Sequence, residues 1–182
     1  SLKKQQVFEF LVEGSDVGKK ICAMNCINIQ DGKLTRHNAD VLGFEQSVKP
    51  FMQSHHTAAL ILGTGGASAS VEYVLEKLGI TFQYVSRTAS GKAISYDMLD
   101  AAVISSHQLI INTTPAGMYP NIDNCPDIPY QWLTTKHHLY DLIYNPAETL
   151  FHQKARQNNS ITKNGMEMLV FQAEKAWGIW NK

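Results

Sequence analysis

The sequence is poor in the features that mark a nucleic-acid binder, a membrane protein or a secreted one. Lysine plus arginine number 16, and so do aspartate plus glutamate. A chain with no basic surplus has little with which to hold a phosphate backbone, so nucleic acid is not expected as a partner. No apolar run approaches the ~18 residues of a membrane-spanning helix, and the opening "SLKKQQVFEF" has charge without a signal-peptide core. No membrane association is expected. The cysteines Cys22, Cys26 and Cys125 are odd in number and lack zinc-ligand spacing. They suit free thiols in a reducing compartment, with the cytoplasm as the expected location. The histidines, including His55-His56 and His137-His138, have no acidic or cysteine partners at ligand spacing, so no metal is expected. Internal repeats, low-complexity tracts and long linkers are missing too.

What is present is a chain of 182 residues, 44% of them hydrophobic, enough to bury a core. Residues 4–22 read as a helix, and "NCINIQDGKLTRHN" alternates about Asp31-Gly32, a dipeptide suited to a tight hairpin. "ADVLGFEQSVKPFMQS" returns to helical spacing. From residue 57 the pattern predicts strand 57–62, helix 66–78, strand 81–86, helix 96–105, strand 108–112, a short helix near 129–135, strand 138–143 and helix 147–157. Alternating strands and helices imply an α/β fold, a Rossmann-like doubly wound parallel sheet covered on both faces. Residues 164–181 read as a last helix whose apolar positions cover more than one face, as expected if it packs between two bodies.

"LGTGGAS" places Gly63-x-Gly65-x-x-Ser68 directly after an apolar strand and before a helix. There the first glycine makes the turn, the second lets the backbone approach a pyrophosphate, and the helix N-terminus offers free amides. Ser68 stands where a third glycine is usual. An NAD site carries Asp or Glu about 20 residues on, at the end of the second strand. Here that strand ends in Ser86-Arg87-Thr88, with Lys92 shortly after, and a guanidinium in place of the carboxylate favours the 2'-phosphate of NADP.

With these motifs in view the chain resembles the shikimate dehydrogenase family. "AMNCI", "HNADVLGF", "LGTGGAS", "SRT", "INTTPAGMYPN", "DLIYNPAETLF" and "NGMEMLVFQAEKAW" match its segments in order over nearly the whole chain. Departures are Ala39 for threonine, Cys22 for glycine and Ala69 where a basic residue is common. The resemblance implies a remnant of an N-terminal substrate-binding and catalytic domain over 1–40, with most of that domain absent. It further implies an NADP-binding domain over 41–160 and a C-terminal helix, 161–182, returning to the substrate domain.

The implied activity is NADP-dependent reduction of 3-dehydroshikimate to shikimate, a small-molecule substrate of aromatic amino acid (chorismate) biosynthesis, weak or lost in a fragment. The implied catalytic pair is Lys4 and Asp40, with Asn25, Asp40, Tyr144 and Gln172 binding substrate. Cofactor contacts fall to Gly63, Thr64, Gly65, Gly66, Ala67, Ser86, Arg87, Thr88, Lys92, Asn112, Thr113, Leu142 and Gly165. Asn112 and Thr113 are expected to face the dinucleotide. Two alternatives stay open: a non-catalytic NADP-binding module, and a quinate/shikimate enzyme. A methylenetetrahydrofolate dehydrogenase is disfavoured by the "NAD...GF" and "FQAEKAW" segments.

Overall fold

The computed structural model describes Glu13–Gly14, residues 25–30 and residues 33–181, which form two sheets. The smaller sheet holds β1 (Glu13–Gly14), β2 (Cys26–Gln30) and β3 (Lys33–His37) in the order β1-β3-β2. β2 and β3 pair antiparallel with Gln30 opposite Lys33. Two residues remain between them, the loop length that Asp31-Gly32 favours. β1 lies parallel to β3, with Glu13 opposite Thr35. This corrects the helix predicted over residues 4–22: Glu13 and Gly14 are extended, and the rest of that span lies outside the described residues. Unpaired backbone along the edge of β3 offers a pairing that outweighs a modest local helical preference.

α1 (Ala39–Val48) starts where Asn38 Oδ1 accepts a hydrogen bond from the Val41 N–H at 3.1 Å. It ends in a 3₁₀ turn, Lys49–Phe51, that carries Pro50. The larger sheet follows. Its elements are β4 (Ala58–Leu62), α2 (Gly66–Lys77), β5 (Thr81–Ser86), β6 (Ala93–Ser95), α3 (Ala101–Ser106), β7 (Leu109–Asn112), β8 (His138–Asp141), α4 (Leu150–Arg156), β9 (Ile161–Lys163) and α5 (Met166–Trp180). The strand order is β6-β5-β4-β7-β8-β9, every pair parallel. The doubly wound α/β architecture is therefore the one the sequence implies.

Differences in detail have local causes. Strands β6 and β9 were not predicted, being three residues long and at the two edges. The helix read over 96–105 divides into a 3₁₀ turn, Tyr96–Met98, and α3, because Asp100 caps α3 by accepting from the Val103 N–H at 2.8 Å. The short helix near 129–135 is a 3₁₀ turn, Tyr130–Trp132. α4 begins at Leu150 rather than 147, and β8 stops at Asp141 rather than 143.

Period-two alternation in β4 divides two cores. Ala59 and Ile61 face Phe44, Val48, Val71, Leu75 and Met168, whereas Leu60 and Leu62 face Ile104, Phe151, Ala155 and Leu133. A central parallel strand covered on both faces has no room for polar residues, which is why β4 reads as an unbroken apolar run. Tyr140 of β8 is fully buried, edge-on to Phe44 at 5.2 Å between ring centroids. Its hydroxyl meets Ser47 Oγ at 2.6 Å, and Ser47 in turn donates to the Phe44 carbonyl. That buried bond fastens α1 onto the sheet.

α5 lies across α1 at Gly43. A Cβ there would sit 2.7 Å from the Met168 carbonyl oxygen and 3.2 Å from the Gln172 backbone nitrogen. The helices approach this closely only because position 43 has no side chain. At the opposite end of the sheet from the strand carboxyl termini, His56 and His138 meet at 4.2 Å between ring centroids, with His55 beside His56. His56 is held neutral: its Nδ1 accepts from the Gln53 N–H and its Nε2 bonds the Lys136 carbonyl. Burial, reinforced by His138, pushes its pKa down to about 4, and burial does the same to His152.

Two outcomes are expected. Gly43→Ala forces α1 and α5 apart and costs about 1–3 kcal/mol, the usual cost of overpacking; a urea-unfolding midpoint unchanged from that of the parent chain would contradict the close crossing. Stability also falls as pH drops from about 6.5 toward 4, since unfolded histidines take up protons that His56 and His152 refuse when folded. Asp141, raised to about 6 by burial, acts in the reverse direction, but one carboxyl is set against two histidines. Midpoints that stay level or rise between pH 7 and pH 5 would refute this assignment.

Candidate functional site

The chain leaves β4 toward β5 and β6 on one side, then returns to build β7, β8 and β9 on the other. A crevice must open at the carboxyl ends where β4 and β7 part, and ligands of such sheets sit there. It is a cleft of about 450 Å³ whose lining includes Ala67, Thr113, Thr114, Leu142, Tyr144 and Asn145. Four of the sequence-predicted residues, Ala67, Thr113, Leu142 and Tyr144, thus share one cleft.

The glycines of "LGTGGAS" divide into two kinds. Gly63 has φ +101°, and a Cβ on it would lie 2.8 Å from Thr114 Cγ2 and 3.0 Å from Thr113 Oγ1. Both its backbone and its surroundings demand glycine. Gly65 and Gly66 are different: Gly65 has ordinary extended backbone angles, and a Cβ on either would meet nothing within 4 Å. Nothing among the described residues requires them to be glycine. The bare surface they leave lies at the N-terminus of α2, where amide N–H groups and the helix dipole favour an anion. Thr64 is exposed beside them, and Ser68 turns inward, buried, its hydroxyl donating to the Gly65 carbonyl at 2.6 Å. Ser68 thereby braces the loop from below.

β5 runs alongside β4 with Val85 opposite Leu62, and the Gly63 N–H donates to the Val85 carbonyl at 2.8 Å. Ser86, Arg87 and Thr88 therefore emerge next to the glycine loop. The Ser86 hydroxyl donates to the Thr88 carbonyl, curling the segment back, while Arg87 and Thr88 stay exposed. Arg87 makes no ion pair among the described residues. Lys92, placed by the sequence in the same clasp, instead reaches Glu72 of α2 at 3.0 Å, and Glu72 also accepts from the Tyr84 hydroxyl at 2.8 Å. The lysine is largely exposed, so the pair contributes only about 0–1 kcal/mol and is readily exchanged.

Asn112 corrects an expectation. Its side chain does not face the cleft: it is fully buried, donating to Asp141 Oδ1 at 3.0 Å and accepting from the Thr114 N–H and hydroxyl at 3.0 and 2.6 Å. Thr113, half-buried, donates from its hydroxyl to the Leu62 carbonyl at 2.7 Å, stitching the loop after β7 to the end of β4. Thr114, Asp141 and Thr149 were not singled out from the sequence. The available signal was Asp141, a lone charge closing an otherwise uncharged strand, "HLYD".

Gly165 stands against the other wall. A Cβ there would lie 2.6 Å from the Leu142 carbonyl carbon and closer still to its oxygen, and the Gly165 N–H donates to the Ile143 carbonyl at 3.0 Å. The start of α5 is thus pressed onto the segment that lines the cleft. Asp40 and Gly43 lie one turn apart on α1, and Gly43 touches Gln172 of α5. Asn25 reaches the same helix from the small sheet, its Oδ1 accepting from the Ala39 N–H at 2.8 Å. Asn25, Asp40 and Gln172 are thereby gathered about α1, with Asn38, not Asp40, serving as its cap. Lys4 lies outside the described residues. No group of three or more histidines, cysteines or acidic residues among the described residues is arranged for a metal, and no helix among them is long and apolar enough to cross a membrane.

Fold and site together define a dinucleotide-binding α/β domain. No family model matches the chain. It is 36% identical to a shikimate dehydrogenase (NADP(+)) of Clostridium beijerinckii, covering 98% of this chain and 69% of that protein. It is 32% identical to one of Desulforamulus reducens, covering 97% and 68%. Among solved structures, a chorismate mutase/shikimate 5-dehydrogenase fusion from Clostridium acetobutylicum matches with TM-score 0.84 and 33% identity over 97% of this chain and 67% of that one. A shikimate dehydrogenase crystallised with NADP+ matches with TM-score 0.84 and 29% identity, over 97% and 67%. The chain belongs to the shikimate dehydrogenase family.

The two kinds of glycine separate by stability. Gly165→Ala lowers the thermal midpoint by several degrees or prevents folding, whereas Gly66→Ala leaves it within about 2 °C, because one Cβ meets backbone and the other meets space. Equal midpoints by circular dichroism would contradict the distinction.

Proposed function

We propose that the chain binds NADP along the carboxyl edge of its six-stranded sheet and serves the reduction of 3-dehydroshikimate to shikimate, in aromatic amino acid biosynthesis. The observation that carries this reading is the pair Gly65 and Gly66, whose missing side chains serve no packing need among the described residues. A cradle that a Cβ would fill fits a pyrophosphate, and the relatives named above are NADP(+) enzymes. Gly63, Thr64, Gly65, Gly66 and Ala67 would hold the diphosphate. Ser86, Arg87 and Thr88 would hold the 2'-phosphate, with Lys92 exchanging Glu72 for it. Thr113, Leu142 and Gly165 would border the nicotinamide, and Asn112 would act from beneath.

When bound, the cofactor supplies the hydride. The chain's own part is to orient the ketone and deliver a proton to its oxygen. In this reading Asp40, in the first turn of α1, pairs with Lys4, whose ammonium meets the developing alkoxide. Asn25 has committed its carbonyl oxygen to the Ala39 N–H, so its amide group is left to donate toward a substrate hydroxyl. Gln172 binds a hydroxyl from the α5 side, and Tyr144, nearly half exposed at the cleft, contacts the substrate from the sheet side. Residues 1–40 belong to the substrate domain, 41–160 to the cofactor domain, and 161–182 return to the former.

Fluorescence titration tests the reading. NADPH is expected to bind at least about tenfold tighter than NADH, as one charge-assisted contact to a phosphate provides. Arg87→Ala should remove most of that preference without altering NADH affinity. Lys92→Ala should remove less, and Gly66→Ala should weaken both cofactors in a folded protein. Equal affinity for the two cofactors in the parent chain, or an Arg87→Ala variant with full NADPH preference, would overturn the assignment.

A further inference from the structure

Asp141 is a carboxylate with no exposure to solvent, at the end of a central strand, and no step of the reaction proposed above uses it. Both of its oxygens accept hydrogen bonds. Oδ1 takes the Asn112 amide at 3.0 Å and the Ile143 N–H at 3.1 Å, and Oδ2 takes the Thr149 hydroxyl at 2.7 Å. Asn112 extends the chain of bonds to the N–H and hydroxyl of Thr114, and Thr114 Oγ1 accepts from the Ala116 N–H at 3.2 Å. Asn112 and Thr149 are likewise without exposure.

The network joins separate walls of one cleft. Thr113, Thr114 and Pro115 line it from the loop after β7, and Leu142 and Ile143 from the loop after β8. Between them the strands themselves supply only the Leu142 N–H bond to the Asn112 carbonyl, at 3.0 Å. Farther out the Tyr119 N–H donates to the Asn145 carbonyl at 3.2 Å, and between these two backbone bonds the Asp141–Asn112 contact ties the loops together. Thr114 carries the restraint to the third wall, because its methyl group lies 2.8 Å from where a Gly63 Cβ would be.

We propose that Asp141 is a positioning residue for the half of the cofactor that lies beyond the pyrophosphate: through Asn112 and the Ile143 amide it fixes the spacing between the Thr113–Pro115 and Leu142–Ile143 walls. The inference rests on the NADP reading given above. A buried carboxylate is costly unless it is hydrogen-bonded, as both oxygens of Asp141 are. A leucine, with the same number and branching of heavy atoms, makes no such demand, so an apolar filling of the site does not account for an aspartate. What the carboxylate adds is the ability to accept from both walls and from Thr149 at once.

The restraint acts on one end of the ligand only. Ser86–Thr88, at the end of β5, make no hydrogen bond to this network, so the adenosine end is independent of it. An asparagine at 141 would preserve the geometry: its oxygen can accept from Asn112 and Ile143 while its amide donates to Thr149, whose hydroxyl turns to accept. A leucine cannot.

Calorimetric titration of NADPH and of 2',5'-ADP, a probe of the adenosine end alone, separates positioning from general loosening. Asp141→Leu should weaken NADPH about tenfold or more, as misplacement of a binding wall does, while 2',5'-ADP affinity stays within about twofold. Asp141→Asn should restore NADPH binding to within about threefold of the parent chain. Should Asp141→Leu fail to fold, Thr149→Val, which keeps the shape and removes one donor, is read in the same way. Parallel weakening of the two ligands, or unchanged NADPH affinity in folded Asp141→Leu or Thr149→Val, would overturn the proposal. A parent chain that binds neither ligand would overturn the NADP reading itself.

Discussion

The parting of β4 from β7 is the constraint to which the rest of the molecule answers. A parallel sheet whose chain winds first one way and then the other must open at the middle of its carboxyl edge, and the polar groups exposed by the opening need partners. Three backbone bonds continue the pairing one residue past the strands: Gly63 to Val85, Thr113 to Leu62, and Leu142 to Asn112. Together they bring the loops after four strands side by side. The glycine loop cannot relax away from the opening, because Thr113 and Thr114 press against Gly63 from the neighbouring strand. The crevice is therefore a consequence of topology, and its shape a consequence of small residues and satisfied hydrogen bonds.

The second constraint is the crossing of α1 and α5. Asn25 comes from the small sheet, Asp40 from the first turn of α1, and Gln172 from a helix more than a hundred residues further along the chain. Gly43 lets the helix backbones meet, Asn25 ties the small sheet to the start of α1, and Trp180 donates from its indole nitrogen to the Ile27 carbonyl at 3.0 Å, holding the end of α5 near β2. The Tyr140–Ser47 bond then fixes α1 on the sheet. These three of the four candidate substrate residues are thus referred to the cofactor edge through α1, a single element, while Tyr144 lies at that edge itself.

What could be read in advance follows the range of the interactions involved. β4, the glycine loop and α2 were legible because an apolar run, a turn and an amphipathic helix are contiguous, and each is dictated by its own residues. The hairpin about Asp31-Gly32 was legible for the same reason. β6 and β9 were not: at three residues they carry no period, and only the neighbouring strand makes them extended. Glu13–Gly14 failed likewise, since β3 supplies the partner. Among the candidate site residues, Arg87 and the glycines stood out by position within a motif. The inward turn of Asn112 did not, because its partner Asp141 is 29 residues away and the need for a partner appears only once the strands are adjacent. The contact of Lys92 with Glu72 was hidden for the same reason, Glu72 being 20 residues distant in sequence and on a different element.

Glycine and buried polar residues record opposite kinds of selection at one edge. Gly43, Gly63 and Gly165 are dictated by the protein: backbone or side-chain atoms lie too close to where their Cβ atoms would be. Substitution there is opposed by folding whatever the ligand. Gly65 and Gly66 answer to nothing within 4 Å among the described residues, so folding would accept alanine, and retaining glycine concedes conformational entropy in the unfolded chain without return in the folded one. Asp141 makes a similar concession in another form, since leaving a carboxylate in a dry strand end is less favourable than filling the site with a hydrocarbon side chain. Concessions of this sort cluster where stability is not the quantity being optimised. That both lie on the same side of the sheet, one in the glycine loop and one beneath the β7 and β8 loops, locates the working edge of the molecule independently of any resemblance.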